Sequence, residues 1–191
     1  MNDIKIYRDI QKAIKKSRNI LIITHKKPDG DALGSTCGLN LALKLIEKKS
    51  TIACIDEAPE YLKFLPGIDE LQHDFNLEEY DVLVTLDCGA SYMSKFHEKY
   101  KNLFSAEKRT VINIDHHPSN DFFGTINLVD TQAASTSIII YWLLQFFQIP
   151  QRQAHILRRS SVVQQASSFF LGNPPRNRRG AGECLKDKKI P

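Results

Sequence analysis

The chain has no long apolar run and no closely spaced cysteine pair. None of its segments approaches the roughly 18 consecutive apolar residues that a transmembrane helix needs, and no apolar stretch of signal-peptide length follows the first methionine. Its four cysteines lie far apart and form no C-x-x-C pair, which is typical of reduced, mostly buried thiols. We therefore expect a cytoplasmic protein that does not bind a membrane.

A second deficit is local, because residues 151–180 contain no aspartate or glutamate. This segment shows little hydrophobic periodicity and is rich in arginine, glutamine, serine and proline. From residue 151 onwards nine basic residues outnumber two acidic ones, although the whole chain carries a net charge of only +4. Two explanations stay open: a natural basic tail, suited to contact nucleic acid, or a segment read out of frame between two compensating frameshifts.

Three short strand-like runs end in side chains that can bind metal ions. The runs cover residues 20–23, 82–86 and 110–114. The side chains that follow them are His25, Asp29 and Asp31, then Asp87, then Asp115, His116 and His117. Each segment alone has an ordinary explanation, as a turn, a helix N-cap or a surface histidine pair. Since parallel strands deliver such residues to one rim of a sheet, three of them together favour a single site.

The predicted site suits a pair of divalent cations. Carboxylate oxygens with a few imidazoles are typical ligands of Mn²⁺ or Mg²⁺, and a carboxylate such as Asp87 can bridge two ions about 3.5–4 Å apart. Without cations, so many carboxylates in one place would cost several kcal/mol in repulsion and desolvation. Two such ions would activate water and stabilise charge on a phosphoryl group.

Hydrophobic periodicity predicts an α/β fold with a doubly wound, mainly parallel sheet and helices on both faces. A chain of 191 residues is long enough for one domain with a sizeable core. The predicted helices cover residues 4–16, 32–48, 92–103 and 135–148, with a short helical piece at 60–64. The predicted strands cover residues 20–24, 51–55, 82–87, 110–114 and 125–129.

At this point the sequence resembles a known family. The spacing of His25, Asp29 and Asp31, followed by Asp87 and then by the Asp-His-His run, is similar to the first three motifs of the DHH phosphoesterases. The segments 28–35 (PDGDALGS) and 114–118 (IDHHP) most resemble the oligoribonuclease and 3′-phosphoadenosine 5′-phosphate phosphatase branch. Residues 129–137 are similar to the serine- and threonine-rich region that precedes a helix in these proteins.

The resemblance implies a role for each candidate residue. One ion would be bound by His25, Asp29 and Asp87. The other would be bound by Asp31, Asp87 and His116, with a further aspartate from a fourth motif. His117 would face the scissile phosphate as a hydrogen-bond donor, and Asp115 would orient its neighbours. His117, Asp115 and His116 are therefore the candidate catalytic residues, and Mn²⁺ is the expected cofactor, with Mg²⁺ as the alternative.

The chain departs from the family pattern after residue 150. The fourth motif is normally a strand ending in Thr-Asp-Thr-Gly, yet the only aspartate after Asp130 is Asp187. Family members also carry a C-terminal, glycine-rich domain that binds the substrate. The sequence therefore predicts an incomplete DHH domain over residues 1–150, an atypical basic tail over 151–191, and no substrate-binding domain.

The expected function is metal-dependent hydrolysis of phosphoesters in short RNA or DNA oligonucleotides, or in a nucleoside 3′,5′-bisphosphate. Because a metal ligand and the substrate domain are missing from the pattern, we expect this chain to be weakly active or inactive. The alternatives are a pyrophosphatase or cyclic-dinucleotide phosphodiesterase of the same superfamily, and a truncated product without catalytic activity. The sequence does not determine the oligomeric state, so a homo-oligomer stays open.

Overall fold

Five parallel strands form one sheet in the order β2-β1-β3-β4-β5. The structure is a computed structural model that describes residues 2–148. The strands are β1 (Asn19–Thr24), β2 (Lys49–Ala53), β3 (Val82–Leu86), β4 (Thr110–Asp115) and β5 (Ile126–Val129). The helices are α1 (Asn2–Lys16), α2 (Gly30–Leu45), α3 (Phe96–Lys99) and α4 (Thr136–Phe146). The predicted tail, 151–191, lies outside the described residues.

The sheet is buried on both faces, which explains the continuous apolar runs of its strands. Helices α1, α2 and α4 cover one face, where Ile20, Ile22 and Val84 point into the larger core cluster. The opposite face carries Leu21 and Leu83 and is covered by shorter elements: α3, 3-10 turns and an aromatic cluster. The predicted fold class is therefore confirmed, with the long helices on one face and the short ones on the other.

The register of the three central strands aligns their carboxyl ends. Thr24 of β1 pairs with Leu86 of β3, and Leu86 pairs with Ile114 of β4. The next residue along each strand therefore emerges at the same level of the sheet. The chain also reverses its direction of progress across the sheet at β1, because β2 lies on one side of β1 and β3 on the other. Such a switch point opens a crevice at the strand ends where α/β proteins bind ligands.

One predicted helix is wrong. Residues 92–103 do not form one continuous helix. A 3-10 turn (Ser91–Ser94) is followed by Lys95, whose backbone is left-handed at φ 64°, and then by the single-turn helix α3. Beyond α3, the guanidinium of Arg109 donates hydrogen bonds to the carbonyls of Asn102 and Leu103, at 2.6 and 3.1 Å. These contacts satisfy carbonyl groups that would otherwise need a helical partner.

Two expectations drawn from absences can be compared with the structure. Cys37, Cys54 and Cys88 are buried free thiols, as predicted, and burial raises the pKa of Cys37 to about 12. Over residues 2–148, no helix has the length and apolar character required to cross a membrane.

The carboxylate of Asp81 ties the start of β1 to β3. It accepts the backbone N–H groups of Arg18, at 2.9 and 3.1 Å, and of Asn19, at 3.0 Å. Burial alone would raise the pKa of Asp81, but these donors outweigh it and hold the pKa below its ordinary value. A carboxyl with a lowered pKa stabilises the fold above its unfolded pKa, and this contribution is lost as the pH falls through the folded pKa.

We predict that Asp81→Asn lowers the free energy of unfolding by about 1 kcal/mol at neutral pH, because charge-assisted hydrogen bonds are weakened. The difference from the wild type should shrink below about pH 4, where the unfolded carboxyl protonates. Urea unfolding over a pH series measures both effects. Asp69→Asn, at an exposed aspartate, is the control, and a difference that persists unchanged into strong acid would contradict the prediction.

Candidate metal centre

The structure brings all seven predicted side chains to one rim of the sheet. The in-phase register places His25 and Asp87 directly after β1 and β3, and Asp115 at the last position of β4. Asp29 and Asp31 join them from the start of α2, and the two histidines follow Asp115 along the chain. The seven side chains therefore converge on one rim of the sheet, as the sequence predicted.

Asp87 lies at the centre of the group and is only 2 % exposed. Its Oδ2 atom is 3.6 Å from His25 Nε2, and its Oδ1 atom is 3.6 Å from His116 Nε2 and 3.7 Å from His117 Nδ1. Its backbone is left-handed, at φ 59°, which is uncommon for a residue other than glycine. Its N–H group donates to the Ile114 carbonyl, and this bond holds the turn in place.

Two groups of potential metal ligands share Asp87. One consists of His25, Asp29 and Asp87, and the other of Asp87, His116 and His117; in each group the ligand atoms lie within 4.8 Å of one another. Asp31 is adjacent to the second group, with its Oδ2 atom 3.8 Å from His116 Nε2. The nitrogen–oxygen distances between the histidines and Asp87 are longer than a hydrogen bond. The histidines therefore surround Asp87 without a direct hydrogen bond to it.

The backbone fixes which nitrogen of two histidines faces the carboxylates. His25 Nδ1 lies 2.8 Å from the Lys26 carbonyl, and His116 Nδ1 lies 3.3 Å from the Ala133 carbonyl. Because a carbonyl oxygen only accepts, Nδ1 must carry the proton in both rings. The neutral ring then presents the lone pair of Nε2 to the carboxylate cluster, which is the usual arrangement of metal-binding histidines. The donor set therefore fits divalent cations.

The charges of the cluster favour cations as well. Burial and the neighbouring Asp87 carboxylate raise the pKa of Asp31. Burial would also raise the pKa of Asp87, but His25 and the Thr136 hydroxyl outweigh it and lower that pKa. Among residues 2–148, no lysine or arginine forms an ion pair with Asp31, Asp87 or Asp115. Within this part of the chain, the negative charge is opposed by imidazoles, by side-chain hydroxyl and amide donors, and by backbone N–H groups.

The N-terminus of α4 clamps two of the carboxylates. The backbone N–H of Thr136 donates to Asp31 Oδ2 at 2.7 Å, and that of Ser137 donates to Asp31 Oδ1 at 2.9 Å. The Thr136 hydroxyl donates to Asp87 Oδ1 at 2.8 Å. Free N–H groups and the helix dipole make such a terminus a natural anion site. Sequence reasoning noted these residues only through a family resemblance and missed their contacts.

Asp29 and Asp87 have different positions relative to the helices. Asp29, whose ordinary explanation was a turn, is the N-cap of α2, because its Oδ1 atom accepts hydrogen bonds from the N–H groups of Asp31 and Ala32, both at 3.0 Å. Its other oxygen takes no part in these bonds and is available to a ligand. Asp87 does not cap a helix, since it occupies the left-handed turn after β3.

Asp115 is fully buried and connects His117 to the body of the protein. Its Oδ1 atom lies 2.7 Å from His117 Nδ1, and its Oδ2 atom accepts a 2.6 Å hydrogen bond from Asn120 Nδ2. The Nδ1 atom of His117 is thus engaged by a carboxylate, while the side chain remains 40 % exposed. The sequence analysis did not identify Asn120 as a site residue, although it lies only four residues after His116.

We predict that Thr136→Val lowers the free energy of unfolding of the metal-free chain by about 2 kcal/mol, because it removes a charge-assisted hydrogen bond to a buried carboxylate. Thr136→Ser is the matched control, since it keeps the hydroxyl and loses one methyl group, worth about 0.8 kcal/mol. Urea unfolding in the presence of a chelator measures both. A valine variant as stable as the serine variant would show that this bond contributes nothing.

Comparison with known proteins agrees with this fold. An exopolyphosphatase-related protein from Bacteroides fragilis shares the fold, with a TM-score of 0.72 at 23 % identity over 88 % of this chain and 56 % of that one. The bifunctional oligoribonuclease and PAP phosphatase NrnA of Thermus thermophilus is 31 % identical over 185 residues, or 95 % of this chain and 53 % of the relative. The Bacillus subtilis protein of the same name is 30 % identical over 172 residues, or 87 % and 52 %.

The chain thus spans about half the length of the curated relatives it matches. The model of the DHH family, N-terminal domain, matches residues 19–165. This match covers most of the chain and includes every side chain of the candidate metal centre. The chain belongs to the DHH family.

Proposed function

We propose that the protein hydrolyses phosphoesters with the help of two divalent cations held at the rim of the sheet. The observation that carries this proposal is the membership of Asp87 in both groups of potential ligands. A carboxylate with two oxygens directed at different histidines is suited to bridge two ions. Mn²⁺ is the proposed metal and Mg²⁺ the alternative, because carboxylates and imidazoles without thiolates suit both.

The proposed ligands are His25, Asp29 and Asp87 for one ion, and Asp31, Asp87 and His116 for the other. The Nε2 lone pairs of His25 and His116 face these carboxylates, which supports the assignment. The chemistry that such ions supply when bound is activation of a water molecule and neutralisation of phosphoryl charge. Asp31 already accepts three hydrogen bonds from α4, so we expect the ion at Asp31 to bind more weakly than the ion at Asp29.

His117 is proposed to donate a hydrogen bond to the phosphate rather than to bind an ion. Its Nδ1 atom is engaged by Asp115, so only Nε2 remains for a substrate. Burial opposes protonation of the ring, but the Asp115 carboxylate outweighs it and raises the pKa of His117. A partly exposed imidazole with this preference is suited to contact a phosphate oxygen that gains charge during hydrolysis.

The proposed substrates are short oligonucleotides and 3′-phosphoadenosine 5′-phosphate. This choice rests on the names of the relatives from Thermus thermophilus and Bacillus subtilis. The activity of this chain by itself is proposed to be weak, because the fourth-motif aspartate predicted for the family has no counterpart at the expected position. The cytoplasmic location inferred from the sequence stays a prediction.

The metal proposal predicts that Asp87→Asn weakens the binding of both ions at least tenfold, since each loses a charged ligand. Isothermal titration of the chain with Mn²⁺ measures the affinity and the number of ions bound. Asp69→Asn makes the same chemical change at an exposed aspartate of a 3-10 turn and should bind like the wild type. Equal affinities in all three proteins would contradict the assignment of Asp87.

The reaction is tested by incubating the chain with diadenylate or 3′-phosphoadenosine 5′-phosphate at saturating Mn²⁺. We expect slow release of AMP that requires Mn²⁺, falls to background in Asp87→Asn and persists in Asp69→Asn. His117→Ala should reduce this rate while leaving Mn²⁺ affinity nearly unchanged. A chain that binds Mn²⁺ through Asp87 yet hydrolyses neither substrate faster than Asp87→Asn would refute the proposed activity and favour a non-catalytic product.

A further inference from the structure

Asn120 is a buried amide whose hydrogen bonds converge on the candidate site. It lies in the loop after β4, is 7 % exposed, and uses both ends of its side chain. Its Nδ2 group donates to Asp115 Oδ2 at 2.6 Å and to the Cys88 carbonyl at 3.1 Å. Its Oδ1 atom accepts from Asn113 Nδ2 and from the Phe122 N–H, both at 2.8 Å. A buried amide with this many partners has one orientation.

This orientation determines that of Asp115. One carboxylate oxygen of Asp115 accepts from Asn120 and the other from His117 Nδ1. The two bonds together fix the rotation of the carboxylate about its side chain. A carboxylate fixed in this way accepts a hydrogen bond from the Nδ1–H group of His117, which leaves Nε2 as the outward-facing nitrogen. The His117 ring is thus oriented by a side-chain amide that lies two hydrogen bonds away and does not bond the ring itself. The backbone N–H of Asn120 also donates to the His117 carbonyl, at 3.2 Å, and this contact holds the loop but does not select a ring nitrogen.

The amide is itself anchored to rigid elements. Cys88 follows β3, and Asn113 lies within β4, where it is fully buried. Asn113 Nδ2 also donates to Asn127 Oδ1 of β5 at 3.1 Å. Asn127 closes the network by bonding both the N–H and the carbonyl of Gly124. The network therefore runs from the edge strand of the sheet to the carboxylate behind His117.

We infer that Asn120 is a positioning residue, which fixes the ring orientation and the tautomer of His117 through Asp115. The consequence for catalysis rests on the proposed function, whereas the consequence for the ring does not. Loss of the amide donor leaves a buried carboxylate oxygen without a partner. Asp115 is then free to rotate, and His117 loses the contact that selects one protonated nitrogen.

Asn120→Asp tests this role because it keeps the shape and the acceptor oxygen but removes the N–H donor that faces Asp115, and Asn120→Ala removes the whole amide. Asn127→Asp makes the same change in the same network, away from Asp115, and is the matched control. The ring of His117 is observed by ¹⁵N spectra of the metal-free chain labelled at histidine, with its signals identified by their loss in His117→Gln. Unfolding curves report the stability of each variant.

At a pH at which the ring is neutral, we expect a single Nδ1–H form of His117 in the wild type and in Asn127→Asp, and a mixture of both tautomers in Asn120→Asp and Asn120→Ala. An unchanged His117 spectrum in both folded Asn120 variants would overturn the inference. An equal change of the His117 spectrum in Asn127→Asp would also overturn it. So would unfolding of Asn120→Asp while Asn127→Asp stays folded, since Asn120 would then be a structural residue only.

The kinetic arm uses the hydrolysis assay of the proposed function. Asn120→Asp should lower kcat roughly tenfold, which is the loss typical of residues that orient the side chains of a site through hydrogen bonds. KM and Mn²⁺ affinity should stay nearly unchanged. A fall in Mn²⁺ affinity equal to that of Asp87→Asn would assign Asn120 to the metal centre instead. If the wild type hydrolyses neither substrate, the proposed function fails, while the spectra of His117 still decide the role of Asn120.

Discussion

The burial of the Asp87 carboxylate is the constraint on which the site depends. A buried carboxylate is costly unless it is paired or hydrogen-bonded, and this one has another carboxylate, Asp31, in its vicinity. The fold answers with three imidazoles from two loops and one hydroxyl from α4. Each of these contacts requires the in-phase ends of β1, β3 and β4, because a register shift would move the histidines away from the carboxylate.

The helix α4 has a double role that follows from this constraint. Its apolar side chains pack against α2 and the sheet, while its first turn binds Asp31 and Asp87 through polar groups. Docking of the helix in the core and neutralisation of the carboxylates are therefore one event. This coupling explains why a helix of eleven residues with a very apolar sequence begins with Thr136 and Ser137.

A second polar layer supports the site from behind. Asn113, Asn120 and Asn127 form a connected set of hydrogen bonds that ends at Asp115. Such networks specify one arrangement when every member is satisfied. Here the arrangement directs the carboxylate of Asp115 toward His117. The ring orientation of a partly exposed histidine therefore depends on buried amides.

The sequence by itself determined the parallel α/β fold and the side chains that meet at its rim. Local patterns are sufficient for this, since apolar runs mark strands and a residue after a parallel strand must reach the carboxyl edge. The sequence-based prediction was wrong for residues 92–103, where the left-handed turn at Lys95 and the hydrogen bonds from Arg109 to the Asn102 and Leu103 carbonyls are found in place of a helix. Only the tertiary structure decided that α4 clamps Asp31 across 105 positions of the chain, which nitrogen of each histidine faces inward, and that Asn120 holds Asp115. These contacts join residues that are distant in sequence or depend on side-chain rotation, and no local periodicity records either.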